Sequence, residues 1–339
     1  SPGFNKEEYK ELMLMSVRSV ASDAYSAKFP EPKQFKMIYQ SKPLALDNLW
    51  DLWVHSSKPI AAISLRGTTE NSVSWLENFY AAMVPAKGVL PITENKKFEY
   101  NLAVDPKAGV HVGWLIATAY LSEEILPRLD SLYKTGIKDF YVVGHSQGGA
   151  IAYLLTAHLY SLRKSGAIAS DITFKTYCSA APKPGNLYFA YQYEFYTQKG
   201  WAYNVVSTAD WVPEVPISIQ TLNDFNNVNP FNNAEDIIKK QKFPQRLVLK
   251  RVFNKLNKPT KKAQKNYQKY LGKMASKLVK EAIPGYITPE YFNSNHYVRT
   301  GNIITLFADS NYYSKFPDNP DNIFCHHFHD VYLYLIEKY

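Results

Sequence analysis

The feature that most constrains the fold is a serine set among glycines, in the stretch VVGHSQGGA at residues 142–150. A run of aromatic and β-branched residues, FYVV at 140–143, precedes Ser146 and is typical of a buried central strand. After the serine, Ile151, Leu154, Leu155 and Leu159 recur with the spacing of one helical face. The pattern therefore predicts a sharp turn from a strand into a helix, with Ser146 at the turn.

Such a turn brings strand and helix close together, and the small residues Gly144, Gly148 and Gly149 would make that approach possible. The first turn of a helix also leaves free N–H groups, which can stabilise negative charge on an oxygen beside the serine. Two interpretations of Ser146 follow. It is either a nucleophile on a strained turn, or a helix cap in an ordinary strand-to-helix connection.

The rest of the chain alternates between strand-like and helical patterns. We predict strands at 35–40, 48–54, 60–65, 172–179 and 202–207, and helices at 7–25 and 110–134. Alternation of this kind arises from βαβ crossovers, so we expect an α/β fold with a mostly parallel central sheet flanked by helices. The 339 residues suffice for a single domain over 1–339. No stretch reaches the roughly 18 apolar residues of a transmembrane helix, so we expect no membrane span.

The net charge of +9 is concentrated in one segment. Residues 231–281 contain 15 Lys and Arg but only three acidic residues, whereas the rest of the chain contains 24 basic and 27 acidic residues. We interpret 221–290 as a Lys-rich helical insert, with two helices that begin near Pro244 and Pro259. In the second helix, the residues that share one apolar face are Tyr267, Leu271, Met274 and Leu278.

The basic insert has two interpretations. Its apolar stripe packs on the rest of the domain and leaves the lysines in water, which we favour, or it contacts a membrane or substrate surface. No recognised nucleic-acid-binding motif accompanies the charge, so we expect no nucleic-acid partner.

A serine nucleophile needs a base, usually His, and a carboxylate that orients this base. Asp210 follows the predicted strand 202–207, at the edge where parallel strands end and sites form. Asp139 and Asp171 lie at strand beginnings instead. Asp210 is therefore the candidate acid, with an ordinary turn residue as the alternative.

Three of the eight histidines cluster near the C-terminus, in FCHHFHDVYLYLI at 324–336. In α/β serine hydrolases the chain order is Ser, then acid, then His, which disfavours His55 and His111 because they precede Ser146. The side chain of His145 should point away from that of its neighbour Ser146. We expect no metal site in the cluster, because no acidic or Cys ligand has suitable local spacing.

Several motifs in the same order resemble the class 3 lipase family, α/β-hydrolases that include the fungal triacylglycerol lipases. The family's GHSLGGA elbow reads GHSQGGA here, and its R-G-[ST] strand end reads Arg66-Gly67-Thr68. Three further matches are VHVGW at 110–114, AAPKPGN at 180–186 and DWVPEVP at 210–216. The resemblance covers residues 60–216, and the basic insert has no counterpart in it.

The resemblance implies that Ser146 is the nucleophile, Asp210 the acid, and the backbone N–H groups of Thr68 and Gln147 the oxyanion hole. For the base, the family's aromatic spacing fits His327, which we favour, and the shorter fungal spacing fits His329. It also implies hydrolysis of carboxylic esters of lipids, such as acylglycerols, through an acyl-enzyme that needs neither a metal nor an organic cofactor.

Residues 69–84 follow Thr68, where fungal relatives carry a mobile lid, and are predicted to form a helix with one apolar side. A helix that uncovers the serine at a lipid surface would indicate a lipase, and a permanently packed one would line an esterase cleft. The alternative functions are a short-chain or phospholipid esterase, and a non-catalytic hydrolase fold that binds membranes or proteins.

The chain begins Ser1-Pro2-Gly3, with neither Met nor an apolar leader segment. Removal of a leader during export would explain this start, so we predict a secreted or periplasmic protein. Trimming of a longer chain would explain it equally well.

Overall fold

The computed structural model describes residues 1–20 and 22–339. The strands are β1 (Phe35–Gln40), β2 (Trp50–His55), β3 (Ile60–Leu65), β4 (Met83–Pro85), β5 (Lys87–Thr93), β6 (Lys96–Asn101), β7 (Gly109–His111), β8 (Asp139–His145), β9 (Thr173–Ser179), β10 (Gly185–Asn186), β11 (Ala202–Ser207), β12 (Tyr297–Val298) and β13 (Asn302–Leu306). The α-helices are α1 (Lys6–Arg18), α2 (Asp23–Ser26), α3 (Ser72–Phe79), α4 (Val112–Lys134), α5 (Gln147–Ser165), α6 (Leu187–Thr197), α7 (Ala234–Lys239), α8 (Gln245–Gln268), α9 (Ala275–Ala282), α10 (Ser310–Lys315) and α11 (His329–Glu337). Short 3-10 turns cover Ala45–Asp47, Val212–Glu214 and Leu222–Asp224.

The central sheet has seven strands in the order β1-β2-β3-β8-β9-β11-β13. The first three strands are antiparallel, and every pairing from β3 to β13 is parallel. The predicted α/β-hydrolase fold with a mostly parallel sheet flanked by helices is therefore confirmed. Carboxyl ends of parallel strands meet at one edge of the sheet, and this edge is where functional loops gather.

Helices cover both faces of the sheet, because its central strands are apolar on both sides. In β8, Val142 packs into the core shared with α4 and α5, whereas its neighbour Val143 packs into the core shared with α1 and α11. The first 14 residues of α5 are all buried, which explains their almost continuous apolar character. This packing holds the β8–α5 turn rigidly at the carboxyl edge.

Most predicted strands are confirmed within two residues, including 35–40, 60–65 and 202–207. The predicted helix over 7–25 was too long: α1 ends at Arg18 and α2 begins at Asp23, with residue 21 outside the described residues. The β5–β6 hairpin, at residues 87–101, was not among the predicted strands. Its lysines and prolines obscured the strand pattern.

The insert differs from the prediction in two ways. Pro259 lies inside α8 and does not begin a second helix; it is exposed, as is Lys255, whose carbonyl loses the usual hydrogen bond. A π-helical stretch at Lys269–Met274 then joins α8 to α9.

The extra residue of a π-turn rotates the packed face by one position. Tyr267 and Leu271 pack on the domain as predicted, but Met274 and Leu278 are half exposed. Ala275 and Val279 are buried in their place. Among the described residues, no helix has the length and apolar character needed to cross a membrane.

Candidate active site

Ser146 lies on a strained turn at the carboxyl edge of the sheet, between β8 and α5. Its backbone has φ 60° and ψ −130°, a conformation that is unfavourable for residues other than glycine. A Cβ on Gly144 would lie 2.1 Å from the Gly148 carbonyl carbon, and one on Gly148 would lie 2.2 Å from the Leu65 oxygen. The glycines of the motif are therefore required by close backbone approach, as the sequence predicted.

Ser146, His327 and Asp210 form one line of hydrogen bonds. The Ser146 Oγ lies 2.8 Å from His327 Nε2, and His327 Nδ1 lies 2.8 Å from Asp210 Oδ2. An ionised carboxylate only accepts hydrogen bonds, so Nδ1 carries the proton of the neutral ring and Nε2 is free to accept from the serine hydroxyl. His327 and Asp210 are both buried.

The Asp210 carboxylate is held from two sides. Its Oδ1 accepts a hydrogen bond from the Val212 N–H at 3.0 Å, and its Oδ2 accepts one from the Tyr332 hydroxyl at 2.7 Å. The Tyr332 oxygen in turn accepts from the Ser207 N–H at 3.1 Å, which links α11 to the end of β11. The carboxylate is thus fixed in orientation towards the histidine.

His329, the alternative base, lies in a different environment. Its Nε2 is 3.1 Å from Ser16 Oγ and its Nδ1 is 3.1 Å from the Tyr25 hydroxyl. Burial lowers its pKa to about 3, so the ring stays neutral at physiological pH. Helix α11 begins at His329. The His329 ring packs under the turn at Ser146, where it stacks on the His145 ring.

His145 contacts both His327 and His329 from within the core. Its Nε2 lies 2.7 Å from the backbone oxygen of His327, which can only accept, so Nε2 donates. Its Nδ1 lies 3.1 Å from the Ser179 hydroxyl. Burial, together with the neighbouring His329 and His327, lowers the pKa of His145 well below its usual range. These two contacts direct the His145 side chain away from Ser146, as expected, and hold the His327 backbone in place.

The two predicted oxyanion positions flank Ser146. A Cβ on Gly67 would lie 3.4 Å from the Ser146 Cβ, so the Arg66–Thr68 loop passes directly beside the turn at Ser146. Within residues 1–20 and 22–339, no recorded hydrogen bond uses the backbone N–H of Thr68 or Gln147. Both groups are therefore free to bind a ligand oxygen. The Thr68 hydroxyl accepts a hydrogen bond from Asn78 Nδ2 at 2.8 Å.

Sequence reasoning missed a buried network on the other side of the turn. Gln147 Nε2 donates to Glu77 Oε1 at 2.8 Å, and Asn48 Nδ2 donates to Glu77 Oε2 at 2.5 Å. The Ser74 hydroxyl donates to Gln147 Oε1 at 3.2 Å. Burial raises the pKa of the Glu77 carboxyl well above its usual range, against the opposing effect of both amide hydrogen bonds.

A signal for this network was present in the sequence. Glu77 lies four residues after Val73 and three before Tyr80, so it interrupts the apolar face of the predicted helix. The network also fixes the inner side of α3 against Gln147, in the turn after Ser146. The helix within the predicted lid segment 69–84 spans only Ser72–Phe79, since β4 begins at Met83.

An open cleft of about 1170 Å³ lies above Ser146 and is lined mainly by apolar side chains. Its walls include Trp75, Phe79, Trp211, Ile217, Phe324 and Phe328. The insert also contributes Tyr267 and Leu271, which sequence reasoning placed on a packed stripe but not at the site. No cluster of three or more His, Cys, Asp or Glu side chains with the arrangement of a metal site occurs within 1–20 and 22–339.

Several solved structures that resemble the chain are fungal lipases. They include a fungal lipase bound to an inhibitor, at 21% identity over 62% of this chain and 74% of that chain, with a TM-score of 0.47. Lip2 lipase from Yarrowia lipolytica matches at 20% identity over 63% and 76%, with a TM-score of 0.47. Rhizomucor miehei triacylglyceride lipase matches at 20% over 64% and 77%, with a TM-score of 0.44. No curated protein matches the sequence significantly.

The family comparison is more specific. Residues 62–219 match the model of the family described as lipase (class 3), a match that contains Thr68, Ser146, Gln147 and Asp210 and ends before the insert. The matched region runs from β3 to the loop after β11, through the strands that build the carboxyl edge. Over residues 62–219, somewhat less than half of its length, the chain is similar to the class 3 lipases, and this similarity supports a carboxylic ester hydrolase.

Proposed function

We propose that this chain hydrolyses lipid esters, such as acylglycerols, through an acyl-enzyme formed on Ser146, with His327 as base and Asp210 as the acid that orients it. The observation that carries the proposal is the unbroken line of two 2.8 Å contacts from the Ser146 hydroxyl through the His327 ring to Asp210. This line ends in the apolar cleft, where an ester of a fatty acid can be bound.

Acylation begins when the Ser146 Oγ attacks the ester carbonyl carbon and its proton passes to His327 Nε2. The carbonyl oxygen becomes negatively charged and is bound by the N–H groups of Thr68 and Gln147. Each such donor stabilises the transition state by about 3 kcal/mol. The carbon–alkoxy bond then breaks, and His327 returns the proton to the departing alcohol, which leaves an acyl group on Ser146.

Deacylation repeats these steps with water. His327 removes a proton from a water molecule as its oxygen attacks the acyl carbon, and the same N–H groups bind the second oxyanion. The bond to Oγ breaks, the proton returns from His327 to Ser146, and the fatty acid departs. No redox or metal-dependent step is needed for the atoms and protons to balance.

We treat residues 1–339 as one catalytic domain in which 221–290 is an insert. After the insert, β13 pairs with β11 in the central sheet. His327 lies two residues before the start of α11, and this position places its side chain at the site. The base and the acid therefore come from opposite sides of the insert in sequence.

We further propose that only the outer side of α3 acts as a lid. Ser74 and Glu77 hold the inner side of α3 against Gln147, so the part that would turn outward at a lipid surface is the outer side, with Trp75 and Phe79. A rate that rises sharply when a substrate passes from solution into an emulsion would support this movement. Equal rates would favour an esterase with a permanently open cleft.

The test of the function is ester hydrolysis across acyl lengths, from dissolved butyrate esters to emulsified long-chain glycerides and phospholipids. We expect Ser146→Ala to lower kcat on the order of 10⁴-fold or more. Ser165→Ala, an exposed serine at the far end of the same helix, is the matched control and should leave the rate unchanged. If no substrate shows a serine-dependent rate, the non-catalytic binding fold becomes the better proposal.

A further inference from the structure

The insert presents an apolar helical face that the domain leaves uncovered. We propose that the first half of α8, residues 245–256, is a docking arm for an anionic lipid surface. The proposal deepens the proposed function and rests on it for the nature of the substrate, because a lipid esterase meets its substrate at such surfaces.

The arm is amphipathic, with its charge on one side. At 100° per residue, five of its six apolar side chains fall within one face: Val248, Leu249, Val252, Phe253 and Leu256. The sixth, Leu247, lies on the basic side and is exposed. The basic residues of α8 lie on the flanks and the opposite face: Arg246, Lys250, Arg251, Lys255, Lys258, Lys261, Lys262 and Lys265. The helix contains no acidic residue. This combination is typical of helices that lie in a lipid interface.

The same face is exposed in the first half of the helix and buried in the second. Val248, Leu249, Val252 and Leu256 are between 44% and 69% exposed. Three turns further on, Tyr267 on this face is only 8% exposed, because it packs with Ala81, Met83 and Tyr297. The domain therefore partners the face only from about residue 263 onward, and the apolar side chains before that point contact water.

The helix that forms the arm continues into the wall of the cleft. Tyr267 and Leu271, in the second half of the same helix and its π-helical extension, line the cleft above Ser146. Residues 256 and 267 are separated by about 16 Å along a helix axis. Exposed apolar side chains at the cleft mouth, Phe79 and Ile217, add to the surface that a lipid would cover. A lipid surface bound by the arm is thus held near the substrate entrance.

The charge selects the partner. Lysine and arginine stems can lie along the acyl boundary while their charged ends reach anionic headgroups, so both faces of the arm are used at once. A nucleic acid would bind the basic face but leave the apolar face in water. A second copy of the chain would bring an equally basic arm, and the chain outside residues 231–281 has 24 basic against 27 acidic residues, which offers little attraction.

The test uses the full chain with Ser146→Ala, so that no substrate is turned over, and vesicles of phosphatidylcholine with and without phosphatidylserine. We expect the protein to sediment with the vesicles that contain phosphatidylserine and far less with the neutral ones. Neutralising Lys250 and Lys255 together to Gln should weaken this binding about 25-fold, since each basic residue near the surface contributes about fivefold. Val252→Ser with Leu256→Ser should abolish it.

The matched control is Lys134→Gln with Lys164→Gln, which removes two exposed charges near the C-terminal ends of α4 and α5, at the opposite edge of the sheet. It should bind vesicles like the parent. Circular dichroism and thermal unfolding identify any variant that fails to fold.

Three outcomes would overturn the proposal: equal binding to both kinds of vesicle, an equal loss in the control pair, or a dimer in sedimentation that Val252→Ser with Leu256→Ser dissociates. Because binding is measured without turnover, an arm that docks on vesicles while the wild type hydrolyses no ester would refute the proposed function alone.

Discussion

The floor of the cleft, meaning the buried residues around Ser146, and the arm of the insert differ in where their side chains find partners. Around Ser146, buried polar groups are paired within the fold: Asp210 by His327 and Tyr332, and Glu77 by Asn48 and Gln147. Along residues 245–256, apolar side chains are exposed and the lysines face water.

The difference concerns where each region finds its partners. Buried polar groups must be paired, because leaving one unpaired costs about 1–3 kcal/mol of folding free energy. The floor therefore tolerates few substitutions, and its hydrogen-bond partners all come from the chain itself. Exposed apolar groups cost little stability and can be covered by an external surface. We expect substitutions on the floor to affect catalysis or folding, and substitutions in the arm to affect only binding.

The sharpest test of the floor compares two histidines that are two residues apart. His327→Ala should lower kcat on the order of 10⁴-fold or more, because it removes the proposed base, the only histidine that contacts the Ser146 hydroxyl among the described residues. His329→Asn should keep the rate within about tenfold, because it changes a group that contacts Ser16 and Tyr25. Steady-state kinetics on one dissolved ester decides between them, and a larger loss in His329→Asn would reverse the assignment.

The contrast within the insert helix is tested by stability in the absence of lipid. Val279→Ala, at a fully buried position of α9, should lower the free energy of unfolding by about 2 kcal/mol through lost packing. Leu256→Ala, in the arm, should change it by less than about 0.5 kcal/mol. Urea unfolding measures both values. A similar cost at the two positions would mean that the arm is packed in solution.

The buried histidines under the turn should make stability depend on pH. His329 stays neutral in the folded state down to about pH 3, whereas in the unfolded chain it binds a proton near its ordinary value of 6.5. Acid therefore favours the unfolded state, and this group lowers stability by up to about 1.4 kcal/mol per pH unit between those values. His111 and His145, whose pKa values are also lowered by burial, act in the same direction.

His329→Asn should flatten this dependence on pH. At pH 5.0 the variant should take up about one proton fewer on unfolding than the parent. Urea unfolding at pH 7.5, 6.0 and 5.0 would measure the difference. The neutral amide can still reach the hydroxyls of Ser16 and Tyr25. An unchanged slope would show that His329 is already protonated in the folded state.

The smallest expected effect is at Tyr332, which supports the proposed acid Asp210. Tyr332→Phe removes the hydroxyl that donates to Asp210 and accepts from the Ser207 N–H, while His327 and the Val212 N–H still contact the carboxylate. We expect kcat to fall about threefold to tenfold with little change in KM, since the histidine is oriented less firmly. A change confined to KM would place Tyr332 in substrate binding.

Much of the floor could be predicted because its requirements are local. The glycine spacing around Ser146, the strand before it and the helix after it lie within 20 residues, and their pattern carried both the turn and the family resemblance. Asp210 followed from its place after a predicted strand. The pairing of Glu77 with Gln147 was out of reach, because those residues are 70 positions apart and meet only when α3 packs on the turn.

The insert shows the limit of periodicity. A uniform helical spacing predicted Met274 and Leu278 on the packed face, but the π-helical stretch at Lys269–Met274 shifted that face to Ala275 and Val279. A regular pattern cannot reveal where a helix gains a residue per turn. The π-helical stretch contains Gly272, which packs so closely that an added Cβ would lie 2.8 Å from the Tyr291 ring.

The sequence by itself determined the α/β fold, the resemblance to class 3 lipases and the turn at Ser146, because these depend on short-range patterns and on the order of motifs along the chain. Only the tertiary structure decided that His327 lies beside Ser146 while His329 packs beneath it. Both side chains fit the family's spacing, and the direction of each depends on where α11 begins and on α1 and α2, which bring Ser16 and Tyr25 to His329. The uncovered arm is likewise a tertiary result, because burial depends on which neighbours the rest of the fold supplies.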